Sequence, residues 1–280
     1  MKRFNKIYIE ISNVCNLDCA FCIGTSRQPR IMSHEEFESI LEKVKPYTDY
    51  IYFHLMGEPL MHPRLEQFFM IAKKHGLKVI ITTNGTLLRE QLPMLREADA
   101  LHKVNVSLHS FEANDLWIPF EEYIKRCIEF GKALEGEKII VYRLWNNGGA
   151  DKRNGEIVDA LKSAFCEPWV EERHGIRIGE RVYIEHGKKF DWPSLEAENF
   201  GDGVFCMGLR DQIGILADGT VVPCCLDHDG DIPLGNIFKS DLGDIINSPR
   251  ALAMQNGFEH KKASEELCRR CGYAHSKFKI

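Results

Sequence analysis

Lys6-Ile-Tyr-Ile-Glu-Ile-Ser12 runs, after Asn13 and Val14, into Cys15-Asn-Leu-Asp-Cys19-Ala-Phe21-Cys22, and this junction decides how the rest of the chain is read. The first stretch alternates in a β-branched pattern and predicts a strand. The second places three cysteines at that strand's C-terminal end, the end at which parallel barrels build their active sites. Three thiolates are one short of closing a tetrahedral zinc site or a cubane iron–sulfur cluster. Zinc would need a fourth ligand such as His34. A 4Fe–4S cluster would keep one iron open.

Working outward, strand patterns recur near 50–56, 78–83, 103–109 and 138–144, with helical patterns near 34–45, 63–75, 87–98, 120–135 and 153–165. Such alternation specifies a parallel sheet with crossover helices. With a sixth strand around 175–186, the pattern predicts an α/β fold, a partial (β/α)6 TIM-like barrel. Periodicity is equally compatible with an open doubly wound sheet. Ser33 and Glu36 form a capping box, Pro63 is placed to open the second helix, and Gly76 to end it.

The pattern changes near residue 190, so residues 1–190 are expected to form the barrel and 191–280 a small appended domain. Asp218-Gly219 predicts a type I′ hairpin turn, and a helix is expected near 242–256. Few large apolar residues follow Cys225, and so small a unit usually needs a metal staple.

The 280 residues carry a net charge of −5 and no basic stripe, which argues against duplex nucleic acid as a partner. No apolar run approaches the ~18 residues of a membrane helix, and the N-terminus lacks a secretory h-region. The chain therefore reads as cytoplasmic, where ten cysteines favour metal or redox chemistry over disulfides.

The Cys-x3-Cys-x-aromatic-Cys spacing, with Phe21 as the aromatic, resembles the signature of the radical S-adenosylmethionine (SAM) superfamily. In that family the open iron chelates the methionine part of SAM, and electron transfer releases a 5′-deoxyadenosyl radical. Met56-Gly57-Glu58-Pro59 resembles the family's Gly-Gly-Glu-Pro motif, with Met56 at the first glycine. Thr82-Thr83-Asn84-Gly85 is similar to its third-strand segment. Ser107 and Arg143 match positions that contact the cofactor's carboxylate and ribose, and Trp145 and Asn146 fall where ribose or adenine contacts occur. The resemblance implies an electron donor such as flavodoxin or ferredoxin.

Cys206, Cys224, Cys268 and Cys271 resemble the ligands of a SPASM or twitch domain, which holds auxiliary 4Fe–4S clusters. A full SPASM domain needs about seven cysteines, whereas four suit one cluster. Zinc is the rival for such a set, and Cys225 is an alternative to Cys224. Cys127 and Cys166 read as packing residues.

Side-chain alternation points Ile7, Ile9 and Ile11 outward and Tyr8, Glu10 and Ser12 inward, with Tyr52, His54, Asn105, Ser107 and His109 also inside. Glu10, His54 and His109 are thus candidates for orienting substrate or moving protons. Asp191, Trp192 and His228 are candidates for closing the mouth between the domains. A small polar substrate is expected. Size and layout resemble the queuine lyases of 7-deazaguanine salvage, which makes a lyase of that kind the first expectation and an oxidoreductase the second, with Glu10 available to a guanine-like edge. The tail is similar to cyclitol dehydrogenases, and peptide maturases share the domain pair. A zinc-stabilised binding protein is the reading from another class.

Overall fold

The computed structural model describes residues 4–166, 168–173 and 175–278. Five strand–helix units run in order: β1 Lys6–Ile9 and α1 His34–Val44, β2 Tyr50–Phe53 and α2 Leu65–Lys74, β3 Lys78–Thr83 and α3 Leu88–Glu97, β4 Leu101–Ser107 and α4 Phe120–Ala133, β5 Ile139–Asn147 and α5 Asn154–Ala164. Then come β6 Val170–Glu172, β7 Gly175–Gly179, β8 Val182–Lys188, β9 Gln212–Ile215, β10 Thr220–Val222 and β11 Gly235–Asn236. The chain closes on α6 Leu242–Ile246, α7 Pro249–Glu259, α8 Glu266–Arg269 and α9 Gly272–Phe278.

Strands β1-β2-β3-β4-β5-β8 lie side by side, every neighbouring pair parallel. That monotonic order is a partial barrel; a doubly wound sheet would reverse at an internal strand. The sixth barrel strand is β8 alone. The expected 175–186 segment is split by a turn at Glu180-Arg181, and β7 folds back antiparallel on β8. At the other edge, β9 pairs in parallel with β1, so the C-terminal hairpin extends the barrel sheet.

Several local expectations resolve differently. The Ser33–Glu36 capping box forms with both bonds, and Gly76 follows α2 at φ +70°. Pro63 lies outside α2, which starts at Leu65. Only Gly219 of the Asp218-Gly219 pair has positive φ, so the turn is not type I′, which requires it at both residues. The helix expected near 242–256 is two, because Pro249 cannot donate to a continuing ladder and instead opens α7, capped by the Ser248 hydroxyl. Cys166 is exposed beyond α5, and Phe165 takes the apolar slot instead.

The two faces of the barrel strands differ as their alternation requires. Ile7, Ile9, Phe53, Ile81, Val104 and Tyr142 are buried in the main core with helix residues such as Phe37 and Phe68. Each fully buried side chain of this kind contributes roughly 1.5–3 kcal/mol. On the opposite face Tyr52, His54, Lys103, Ser107, Arg143 and Glu185 keep part of their surface open. That face lines the chamber of the barrel.

Candidate active site

The Cys15–Cys22 loop emerges from β1 with Cys15 and Cys22 exposed and Cys19 half-buried. Its sulfurs accept hydrogen bonds from Leu17 N (3.4 Å, to Cys15), Gly24 N (3.5 Å, to Cys22) and Asn114 Nδ2 (3.1 Å, to Cys19). Asn84 Nδ2 reaches Cys15 Sγ at 3.9 Å and Asn16 Oδ1 at 2.9 Å. Thiols presented outward on a loop that aims N–H groups at their sulfurs suit a thiolate-bound cluster.

The loops after β2 and β3 brace this one. Glu58 donates its N–H to Val14 O, and its carboxylate accepts from Leu60 N (3.0 Å) and Asn84 N (2.7 Å). Burial pushes that carboxyl up to about 7, against the pull of these hydrogen bonds. Gly57, at φ +80°, passes so near the first loop that a Cβ would meet Ser12 O at 2.2 Å. Asn84 is fixed from behind by Tyr123 Oη, which donates to its carbonyl at 2.8 Å, while its Oδ1 accepts from Thr86. Thr83 Oγ1 accepts from Gly85 N. The structure therefore brings Gly57, Glu58, Thr83 and Asn84 together against the cysteine loop.

Phe21 packs on the His109 ring at 4.8 Å, and its carbonyl accepts from Trp192 Nε1 at 3.0 Å. His109 does not belong to β4, which ends at Ser107. It sits in the 3-10 turn that follows, its Nδ1 facing Arg143 O at 3.0 Å, and burial lowers its pKa. Arg143 donates Nε to Glu185 Oε2 at 3.2 Å and stacks its guanidinium 4.3 Å from the Trp145 ring centroid. Asn146 is turned away from this group, bonding Ala150 O and Asn154.

Deeper in the chamber, Tyr8 lies 5.0 Å from Tyr52 and 5.9 Å from His54, measured between ring centroids. Burial, and then the Arg143 charge, push His54 down to about 4, so it is neutral at pH 7. Asn105 donates to Ile81 O and Thr82 Oγ1, while its buried Oδ1 has no partner among the described residues.

Glu10 is placed otherwise than expected. Its side chain is fully buried, and both oxygens receive Arg27 at 2.7 Å. Met56 N and Ala217 N also donate to it. Arg27 Nε donates to His228 O, while Thr25 and Ser26 donate to Asp229. Glu10 is thus the anchor of a latch joining the cysteine loop to the C-terminal domain, with no oxygen spare for a substrate edge. Trp192 adds a second bridge, lying 6.2 Å from the His228 ring. Asp191 packs beside Gly272. Neither Arg27 nor Asn114 belongs to a sequence motif, and both were missed for that reason.

In the C-terminal domain, Cys206, Cys224, Cys268 and Cys271 line one small cavity, together with Pro193, Phe258 and other apolar residues. Burial pushes the Cys206 thiol up to about 11 and those of Cys224 and Cys268 well above their ordinary value. Such thiols are poor nucleophiles until a metal displaces their protons. Among the described residues no three His, Cys, Asp or Glu side chains stand in a geometry that would hold a single metal ion. Four thiols around one cavity are a donor set that fits an iron–sulfur cluster. Cys225 is not on that wall and packs instead against the Tyr8–Leu55 cluster on the chamber side.

Residues 9–141 match the radical SAM superfamily, and residues 206–272 match SPASM, an iron–sulfur cluster-binding domain. The chain is 26% identical over 279 residues to a probable GTP 3′,8-cyclase of Sulfurisphaera tokodaii, covering 86% of this chain and 87% of that protein. It is 21% identical over 279 residues to the S-adenosyl-L-methionine-dependent 2-deoxy-scyllo-inosamine dehydrogenase of Niallia circulans, covering 96% and 93%. The crystal structure of BtrN in complex with AdoMet and 2-DOIA shares the fold, with a TM-score of 0.64 over 97% of this chain and 94% of that one, at 18% identity.

Proposed function

Given a chain that carries a radical SAM domain followed by a SPASM iron–sulfur domain, with SAM and 4Fe–4S clusters as its cofactors, we propose that it oxidises a small, hydroxyl-bearing substrate held in the barrel chamber. Cys15, Cys19 and Cys22 hold the first cluster and Cys206, Cys224, Cys268 and Cys271 the auxiliary one. When bound, the first cluster and SAM would supply a 5′-deoxyadenosyl radical able to take a hydrogen atom from a substrate. Residues 1–190 and 191–280 form the two functional domains. One auxiliary cluster, the twitch arrangement, accounts for the four cavity-lining thiols.

The carrying observation is the split of Cys224 and Cys225. Cys224 lines the auxiliary cavity, while the next residue packs against Tyr8 in the chamber wall. Cys224 would help hold an auxiliary cluster that could accept an electron, and Cys225 joins its site to the chamber wall. Converting an alcohol to a carbonyl requires the loss of a hydrogen atom, an electron and a proton. With a pKa of about 4, neutral His54 is a weak base that would orient the hydroxyl by hydrogen bonding, the proton being released to bulk water. Gly57, Glu58, Thr83 and Asn84 would shape the methionine end of the SAM site, Ser107 and Arg143 would meet its carboxylate and ribose, and Phe21 and Trp145 would complete the site. His109 positions Arg143 through its carbonyl.

The similarity to the cyclitol dehydrogenase over nearly the full length of both chains supports this reading. Queuine is less favoured, because Glu10, the residue that would meet its guanine-like edge, is bound by Arg27. The test is an anaerobic screen of cyclitols, queuine and short peptides with the reconstituted protein, reading 5′-deoxyadenosine and oxidised product together. A cyclitol that yields both supports the proposal. Coupled turnover of queuine or a peptide alone overturns it.

A further inference from the structure

The three sulfurs of the first cysteine loop are not hydrogen-bonded alike. Cys15 and Cys22 accept from the backbone two residues further on, at Leu17 and Gly24, and Cys15 has in addition only the distant Asn84 amide at 3.9 Å. Cys19 instead draws on side chains of the β4–α4 connection: Asn114 Nδ2 at 3.1 Å and, within reach of the same sulfur, the Ser110 hydroxyl.

Asn114 is held in this orientation. Its amide also donates to Ser110 O at 2.7 Å, and its Oδ1 accepts from Asp18 N at 3.1 Å. Next to it, Ala113 O accepts from Ala20 N at 3.1 Å. Flipping the amide would break its bonds to Ser110 and Asp18 and turn an oxygen towards the sulfur. The donor is therefore locked onto Cys19 by the loop that it braces.

We propose that Ser110 and Asn114 are positioning residues that set the reduction potential of the first cluster through the Cys19 sulfur. This rests on the reading of Cys15, Cys19 and Cys22 as cluster ligands. One-electron reduction adds negative charge that spreads onto the thiolates. Donors aimed at a thiolate stabilise the reduced state more than the oxidised one and raise the potential. By acting on Cys19 alone, they also make the three ligated irons inequivalent.

The test is an anaerobic redox titration of the reconstituted holoprotein with dithionite, followed by electron paramagnetic resonance. The first cluster is the signal whose shape changes when SAM is added. Ser110→Ala removes one donor. Asn114→Asp keeps an oxygen for Asp18 N–H but turns an anionic oxygen towards Cys19. Both variants are expected to shift that midpoint to more negative values, Asn114→Asp further, with the auxiliary midpoint unchanged. Unchanged midpoints in both variants at full iron content would overturn the proposal. If Asn114→Asp loses iron, Ser110→Ala alone decides. Absence of any SAM-responsive signal in the parent protein would refute the ligand reading instead.

Discussion

The latch between Glu10 and Arg27 gives the sharpest prediction. Glu10 is fully buried, whereas the Arg27 side chain is 17% exposed. Removing the guanidinium strands a carboxylate that keeps only the Met56 and Ala217 N–H donors. Breaking a buried pair from one side typically costs ~3–5 kcal/mol, while replacing both partners by apolar groups is often close to neutral. Arg27→Met should therefore destabilise by several kcal/mol. At ~2–4 °C per kcal/mol for a chain of this size class, the melting temperature should fall by ~6–20 °C. The double variant Glu10→Met/Arg27→Met should recover at least ~1 kcal/mol relative to the sum of the singles. Differential scanning calorimetry of the anaerobic holoprotein provides the melting temperatures. Limited proteolysis should show earlier cleavage between residues 189 and 205 in Arg27→Met. Two mild single variants whose effects simply add would refute the latch.

Gly57→Ala should block assembly of the first site, because its Cβ would fall 2.2 Å from Ser12 O at a positive φ; iron per chain should drop by about half a full complement while circular dichroism stays helical. Cys224→Ser should remove the auxiliary cluster and Cys225→Ser should leave it intact, as iron and sulfide analysis would report. His54 binds its proton near pH 4 in the folded state, against an ordinary value of 6.5. Between these pH values the unfolded chain holds a proton that the folded chain lacks, so stability falls as pH drops from 6.5 towards 4, by up to ~3 kcal/mol. Denaturant titrations of a His54→Phe variant should show a correspondingly flatter profile across that window.

What was legible in the sequence was what local physics sets. Hydrophobic alternation located β1–β5 because each strand has one face on helices and one on the chamber, and the 3.6 period located α1–α5. The first cysteine set was legible from its spacing and the second from its resemblance to a SPASM or twitch tail. Contacts between distant segments were not. Glu10 reads as an inward-facing acid open to substrate, but it is taken by Arg27, which His228 and Asp229 hold in place from some 200 residues on. Asn114 likewise meets Cys19 across 95 positions. His109 was misplaced because β4 tightens into a 3-10 turn two residues earlier than its alternation suggested. The 175–186 segment looked like one strand because both arms of a tight hairpin carry the same alternation.

The pairing of β9 with β1 has a practical consequence for anyone dissecting this protein. A fragment ending near residue 190 would leave the N–H and C=O groups that β1 now offers to Gln212–Ile215 bare to solvent, beside an apolar strand. Bare edges of that kind recruit other chains. Expressed without its tail, the barrel should precipitate, so the two metal-bearing halves have to be produced and purified as one polypeptide.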